Sequence, residues 1–458
     1  SALSSMDNYH LWGTYNVHDP SCCKLGDYYY MYSTDAILGE NRKEAEEKNV
    51  PLGFIQVRRS KDLVKWEFIG WAFPEIPHEA VEWVRSHADG KGATNIWAPY
   101  IIPFGDKYRL YYCVSAFGLK TSYIGLAESA SPEGPWMQRG CVVKTDATSV
   151  MNAIDPSIIA DSATGKWWMH YGSFFGGLYC VELNPETGLP VQEGDQGHLI
   201  ARRATYWKDN LEAPEIIYNP ELKQYYLFVS YDPLMTTYNV RVGRSDKAEG
   251  PFVDYFGVEL KNTTNNFPIL TAPYRFNNHP GWAGTAHCAV FTSDEGQYFM
   301  AHQGRLSPHN QMMDLHLRQV FFTSDGWPVV SPERYTGSAS RKFSAADIVG
   351  EWEIIRVQEP AYERQLQAGQ ILWGEGQLKN EEWNVSCTLS LKKDGQLDEN
   401  KGYWKFAERG QLLSLTLNGE SVDNLLVFAG HDWENETETV LFTGLDSRGR
   451  SVWGKRTK

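Results

Sequence analysis

The chain has 458 residues, more than one hydrophobic core usually serves, so two domains are expected. Its 43 basic and 57 acidic side chains give a formal net charge of −14, which repels nucleic acid and anionic membrane surfaces. An apolar fraction of 42% with 22% charged residues excludes a disordered chain, and no apolar run is long enough to cross a bilayer.

From the N-terminus onward one unit recurs: a polar residue near a proline, a short apolar strand, a turn, a tyrosine-rich strand, then a third strand and a turn. The first copy reads HDPSCC, GDYYYMYS and GFIQVRRSKDLVKW; the second WAPYII, GDKYRLYYCVS and YIGLAESASPEGPW. The third reads DPSII, GKWWMHYGS and GLYCVEL; the fourth EAPEII, KQYYLFVS and YNVRVGRSDKAEGPF; the fifth TAHCAVF, GQYFMAHQG and LHLRQVFFTSDGWPV. Each copy supplies three strands of period 2, and a fourth, outer strand is expected after the closing turn. Such four-stranded units set radially around a channel make a propeller, so an all-β fold with five blades is expected over residues 1–340. Charged ENRKEAEEKN, from Glu40 to Asn49, is expected as a solvated surface helix, and Pro77 to Ala93 as a second insertion near the rim.

From about Phe343 the pattern changes to short alternating strands: VGEWEIIRV, ILWGEG, NVSCTLSL, GYWKFAE, LLSLTLNG, DNLLVFAG, TVLFTGLD and SVWGKR. Residues 341–458 are therefore expected as a small antiparallel barrel or sandwich. Its tryptophans, Trp352, Trp373, Trp383, Trp404 and Trp453, either bind polysaccharide or form core, and core is the commoner fate in small barrels. Seven scattered cysteines, with Cys22 beside Cys23 and no C-x-x-C, read as buried small residues rather than a disulfide framework.

The inner strand of every blade aims one end at the channel, so equivalent positions in the five copies converge. Those positions are Asp19, Trp97, Asp155, Glu212 and His287. Clustered buried carboxylates are costly and ask for a functional reason. Three of them fit inverting glycoside hydrolysis: an acid for the leaving oxygen, a base for water on the opposite face, about 6.5–9.5 Å away, and a third group that keeps the acid protonated. Glu215 competes with Glu212 for the acid role, but alternation along a strand turns them to opposite faces. The 17 Trp, 25 Tyr and 20 Phe suit sugar stacking, although an all-β protein favours aromatics in any case.

His18-Asp19-Pro20, Trp97-Ala98-Pro99, Ala153-Ile154-Asp155-Pro156-Ser157, the YGSFFGG run from Tyr171 to Gly177, and Glu212-Ala213-Pro214 resemble glycoside hydrolase family 43, and within it the two-domain endo-α-1,5-L-arabinanases. The resemblance implies Asp19 as general base, Glu212 as general acid and Asp155 as the group that orients and tunes it. It implies His18, Trp97, Asn152, Ser173 and Phe174 as substrate-binding residues, arabinan or arabino-oligosaccharide as substrate, and a largely water-ligated calcium ion near His287. Tyr100 stands where many relatives carry an acid. A monomer exported from the cytoplasm is expected, and an opening on Ser1 fits a mature chain. Competing readings are an exo-acting α-L-arabinofuranosidase or β-xylosidase of the same fold, and a non-catalytic carbohydrate-binding propeller. A fructan-processing enzyme would show an Asn-Asp-Pro-type opening where this chain has His18.

Overall fold

In the computed structural model, residues 6–204, 207–309, 311–360 and 377–458 are described. The predicted strand ILWGEG, with Trp373, lies outside them. The chain is all-β, a propeller followed by a smaller antiparallel sheet domain.

Four complete four-stranded meanders come first. Their strands are Ser21–Leu25, Tyr28–Ser33, Phe54–Ser60 and Glu67–Phe73; Trp97–Phe104, Lys107–Ser115, Ser122–Ser129 and Met137–Thr145; Ser157–Ala160, Trp167–Tyr171, Leu178–Leu183 and His198–Ala201; Leu211–Asn219, Gln224–Tyr231, Asn239–Ser245 and Ile269–Thr271. A further meander, Ala289–Thr292, Tyr298–Leu306, Asp314–Phe322 and Pro328–Val330, shares its second strand with an extension through Trp282–Ala283, Tyr274–Arg275 and Asn384–Val385. Second strands such as YYYMYS and QYYLFVSY are buried on both faces, because a neighbouring sheet packs on each side. This corrects the period-2 alternation expected of them: a strand covered on both faces is buried along its whole length.

The core lies in the gaps between successive sheets. Tyr32, Leu110 and Tyr112 fill the first gap, Tyr111, Ile124 and Met169 the second, Leu178, Leu227 and Val229 the third. Phe228, Val240 and Met300 fill the fourth, and Met31, Phe291 and Phe299 return from the last meander to the first sheet. The N-terminal segment closes this ring: the Asn16 N–H donates to the Met313 carbonyl, and the Leu315 N–H to that of Thr14.

Each inner strand is entered through a residue with positive φ: Asp19 (51°), Ala98 (33°), Asp155 (59°), Ala213 (55°) and His287 (55°). Non-glycine residues held there cost about 1–3 kcal/mol and gather at functional sites. Their N–H groups bind the preceding sheet: Asp19 donates to Gln303 Oε1 (3.0 Å), Ala98 to Thr34 Oγ1 (2.8 Å), Ala213 to Asp155 Oδ2 (3.1 Å) and His287 to Ser230 Oγ (2.9 Å). This corrects the expected register at two positions. Trp97 and Glu212 stand one residue before the equivalents of Asp19, Asp155 and His287. The cause is local: strand pairing begins at Trp97 and Leu211, and the ladder slips between Trp97 and Tyr100 and between Glu212 and Glu215.

The expected solvated helix is present as Gly39–Glu47, burying only Ala45. Helix His78–His87 differs, since Ala80 and Val84 pack into the core between the first two sheets. All seven cysteines are unpaired; Cys22, Cys113, Cys180 and Cys288 are buried, while Cys387 is exposed.

Among the described residues, seven strands form the second domain, in the order Cys387–Leu391, Gly350–Arg356, Ser451–Arg456, Thr437–Leu445, Glu420–Asp432, Leu412–Leu417 and Gly402–Ala407. The predicted strand NVSCTLSL is split: Asn384–Val385 pairs with the propeller's Tyr274–Arg275, and only Cys387–Leu391 stays in the domain. Trp352 and Trp404 lie in the domain's own core and Trp453 in the cluster shared with the propeller. Trp383 is also buried, under the Arg275 guanidinium at 4.3 Å. None of these four is an open sugar platform.

Candidate active site

The five convergent segments bring three carboxyl groups and two imidazoles together. Asp19 Oδ2 accepts a hydrogen bond from Thr34 Oγ1 (2.6 Å), while Oδ1 lies 3.2 Å from His18 Nε2 and 3.0 Å from His287 Nδ1. Burial pushes its pKa up, but the charges and hydrogen bonds of His18 and His287 outweigh that and hold it well below the usual carboxylate range. His287 responds in the opposite sense. Burial disfavours its cation, yet Asp19 beside it, with Asp155 and Glu212 beyond, raises it to about 9.

Asp155 and Glu212 are biased toward holding protons. Burial raises Asp155 well above its ordinary value, and the Glu212 and Asp19 charges add to this against the opposing pull of His287. Its Oδ2 accepts the Ala213 N–H, one residue past Glu212, so the two acids are coupled through a single peptide. Glu212 is raised by burial and by Asp19, against His287, Ser173 and Tyr238. Ser173 Oγ donates to Glu212 Oε2 (2.9 Å) and the Tyr238 hydroxyl to Oε1 (3.0 Å), which fixes the carboxyl plane. One carboxyl biased toward ionisation near others biased toward holding protons is the arrangement that a base and an acid of the same residue class require.

The YGSFFGG turn holds Ser173 in place. Phe174 donates its N–H to the Leu211 carbonyl at 2.9 Å, and Ser173 bridges to Glu212 across the strands. Gly176, at φ 92°, passes so close to Val150 that a Cβ would stand 2.0 Å from its carbonyl oxygen. Trp97 is half-buried, with Nε1 bound to Asn95 Oδ1 at 2.6 Å and its ring edge-on to the exposed Phe117 at 6.4 Å. Phe174 is half-buried beside the exposed Phe175. Asn152 is buried, and its Oδ1 accepts from Ser122 Oγ at 2.5 Å, a bond that fixes the segment leading to Asp155. Glu215 stands away from the catalytic groups, bound to Ser157 and Val290. Tyr100 also turns from them, toward Ser157.

Thr34, Gln303 and Tyr238 position the acids and went unforeseen. Gln303 lies in a second strand, Thr34 just past one and Tyr238 just before a third strand, where nothing in the repeat pattern separates a channel-facing hydroxyl or amide from a core one.

His287 Nδ1 is engaged by Asp19, which leaves Nε2 as the one nitrogen for a metal. Calcium takes six to eight oxygen ligands, so this donor set fits only an ion ligated mostly by water. Among the described residues the sole cluster of three metal-ligating side chains is Glu333, Asp432 and Glu434, and the Lys455 ammonium already fills it.

A propeller whose inner strands bring together carboxyls of opposite protonation bias has the apparatus of a glycoside hydrolase. The chain belongs to glycosyl hydrolases family 43, whose model matches residues 13–328, and a C-terminal lipocalin-like domain model matches residues 332–454. It is 29% identical to an extracellular endo-α-(1→5)-L-arabinanase of Thermotoga petrophila, over 96% of this chain and 94% of that one. It is 30% identical to an extracellular exo-α-(1→5)-L-arabinofuranosidase of Cellvibrio japonicus, over 71% of this chain and 90% of the relative. The crystal structure of an endo-1,5-α-L-arabinanase from Thermotoga petrophila superposes with a TM-score of 0.78 at 27% identity, covering 98% of this chain and 99% of that one.

Proposed function

We propose that this protein is an inverting, endo-acting hydrolase of α-1,5-L-arabinofuranosidic linkages in arabinan. The observation that carries the reading is the opposed bias of the carboxyls: Asp19 held ionised by His18 and His287, Glu212 held toward its protonated form by burial. Asp19 takes a proton from water, and Glu212 gives one to the departing oxygen. Asp155 holds the backbone beside Glu212 through the Ala213 N–H and so fixes where that proton is presented. Trp97, Ser173, Phe174 and His18 line the sugar-binding end. Likeness over both domains to an endo-acting relative supports endo over exo cutting, since the exo-acting relative matches only 71% of the chain.

The same reading takes the meander Ala289–Thr292 to Pro328–Val330 as the fifth blade. A fifth positive-φ residue, His287, and an apolar cluster on each flank support it. It divides the chain into a catalytic propeller, residues 1–340, and an accessory domain, residues 341–458. It also takes the protein as exported, in keeping with relatives described as extracellular; no helix among the described residues is long and apolar enough to cross a membrane. A calcium ion taken at His287 Nε2 would need that imidazole neutral, with Nδ1–H donating to Asp19, and would then supply the positive charge beneath the base in place of the imidazolium.

Digestion of linear arabinan, followed by product length with and without a chelator, tests this reading. A ladder of short oligosaccharides appearing before arabinose, and slowed by the chelator, is the expected result. Arabinose alone from chain ends would make the enzyme exo-acting, and full activity in verified metal-free protein would remove calcium.

A further inference from the structure

The inner strands continue past the catalytic residues to a cavity of about 370 Å³, whose lining includes Cys22, Tyr100, Glu215 and Val290. Inner strands have no partner on the channel side, so their N–H groups there must be met by side chains. The Ile101 N–H finds Ser21 Oγ (3.1 Å), the Ile216 N–H finds Ser157 Oγ (3.0 Å), and the Val290 N–H finds Glu215 Oε2 (2.8 Å). Each acceptor lies two residues past a positive-φ residue, and each N–H three past the next one. In two of these three places a serine suffices. A buried carboxyl costs far more than a hydroxyl, so capping Val290 does not explain Glu215.

What the longer side chain adds is a second bond. Glu215 Oε1 accepts from Ser157 Oγ at 2.7 Å while Oε2 holds Val290, so one carboxyl ties three inner strands together. Ser157 is two residues past Asp155, Glu215 three past Glu212, and Val290 three past His287. We propose that Glu215 is a positioning residue for the hydrolysis, fixing the separation of Glu212 from Asp155 and from the His287–Asp19 pair. The inference rests on the catalytic reading above. Displacing a reacting group by about 1 Å can cost on the order of 10²-fold in rate, and the acid is the group whose displacement depends on the leaving group.

The test compares Glu215→Gln, Glu215→Ser and Glu212→Gln with the unaltered chain, on linear arabinan and on an aryl arabino-oligoside with a good leaving group. Glu215→Ser reproduces the cap used in two other sheets and removes only the link to Ser157. Glu215→Ser should lose about tenfold or more in kcat on arabinan, with KM changed by less than about twofold, and lose less on the aryl substrate. Glu215→Gln keeps both links, its Oε1 accepting the Val290 N–H and its Nε2 donating to Ser157 Oγ, and should stay within about threefold of the unaltered chain. Wild-type kcat in folded Glu215→Ser, an equal loss on both substrates that follows the folded fraction, or a loss in Glu215→Gln as large as in Glu215→Ser overturns the proposal. An unimpaired Glu212→Gln is failure of the catalytic assignment; an impaired Glu212→Gln beside an unimpaired Glu215→Ser is failure of the positioning role alone.

Discussion

At the scale of single residues, the site separates two chemically similar groups by what surrounds them. Asp19 meets two imidazoles and a hydroxyl; Glu212 accepts from two neutral hydroxyls and is raised by burial and by the Asp19 charge. In the proposed roles, activity needs Asp19 ionised and Glu212 protonated. It is therefore lost on the acid side only as pH falls through a depressed Asp19 pKa, and on the alkaline side as pH rises through a raised Glu212 pKa. Both limbs of the kcat/KM profile should lie outside the usual carboxylate range, Asp19 below and Glu212 above. Glu212→Gln should lower kcat on arabinan by about 10²–10⁴-fold and erase the alkaline limb; an alkaline limb that survives unchanged belongs to another group.

Among the elements, repetition made the three acids legible. Asp19 and Asp155 each precede a proline in matching copies, and Glu212 precedes Ala213-Pro214. The one-residue offset at Trp97 and Glu212 was not legible, because a slipped ladder leaves no trace in hydrophobic periodicity. Glu215 faces away from the catalytic groups as alternation suggests, although the ladder between it and Glu212 is interrupted. The YGSFFGG turn reads as a motif, but its reason is steric and needs the neighbouring strand. Gly176→Ala should therefore displace Val150 or the turn itself, and with it Ser173, the partner of Glu212. Gly165, at φ 74° with nothing within 4 Å of a Cβ, provides the control. Gly165→Ala should cost about 1–3 kcal/mol of stability without loss of kcat, whereas Gly176→Ala should lose kcat as well. Equal kcat in the two variants would deny the turn its role in holding Ser173.

For the whole molecule, the second domain is bound to the propeller by more than apolar packing. Trp453 stacks edge-on with Tyr274 at 5.3 Å, and the Arg318 guanidinium lies over both rings. The Lys455 ammonium, fully buried, lies 3.2 Å from Glu333, which follows the last propeller strand, 2.9 Å from Asp432 and 2.7 Å from Glu434. Burial raises Glu333 to about 8 even with Lys455 opposing it. Lys455→Met would leave buried carboxylates without their cation, at a cost of about 3–5 kcal/mol at neutral pH. Without the lysine those carboxyls have raised folded-state pKa values, so stability is regained as pH falls and lost as it rises. Thermal unfolding across pH checks this, and a loss independent of pH would mean that packing, not charge, joins the domains. The C-terminal tryptophans left this role undecided in sequence, since a buried and a sugar-binding tryptophan read alike.

Direct displacement by water, with Asp19 as base and Glu212 as acid, forms no covalent intermediate. A proton NMR time course of newly released reducing ends, begun before mutarotation, distinguishes it from a two-step displacement. The β anomer should appear first from the α linkage. First appearance of the α anomer would mean retention and would contradict Asp19 as a base.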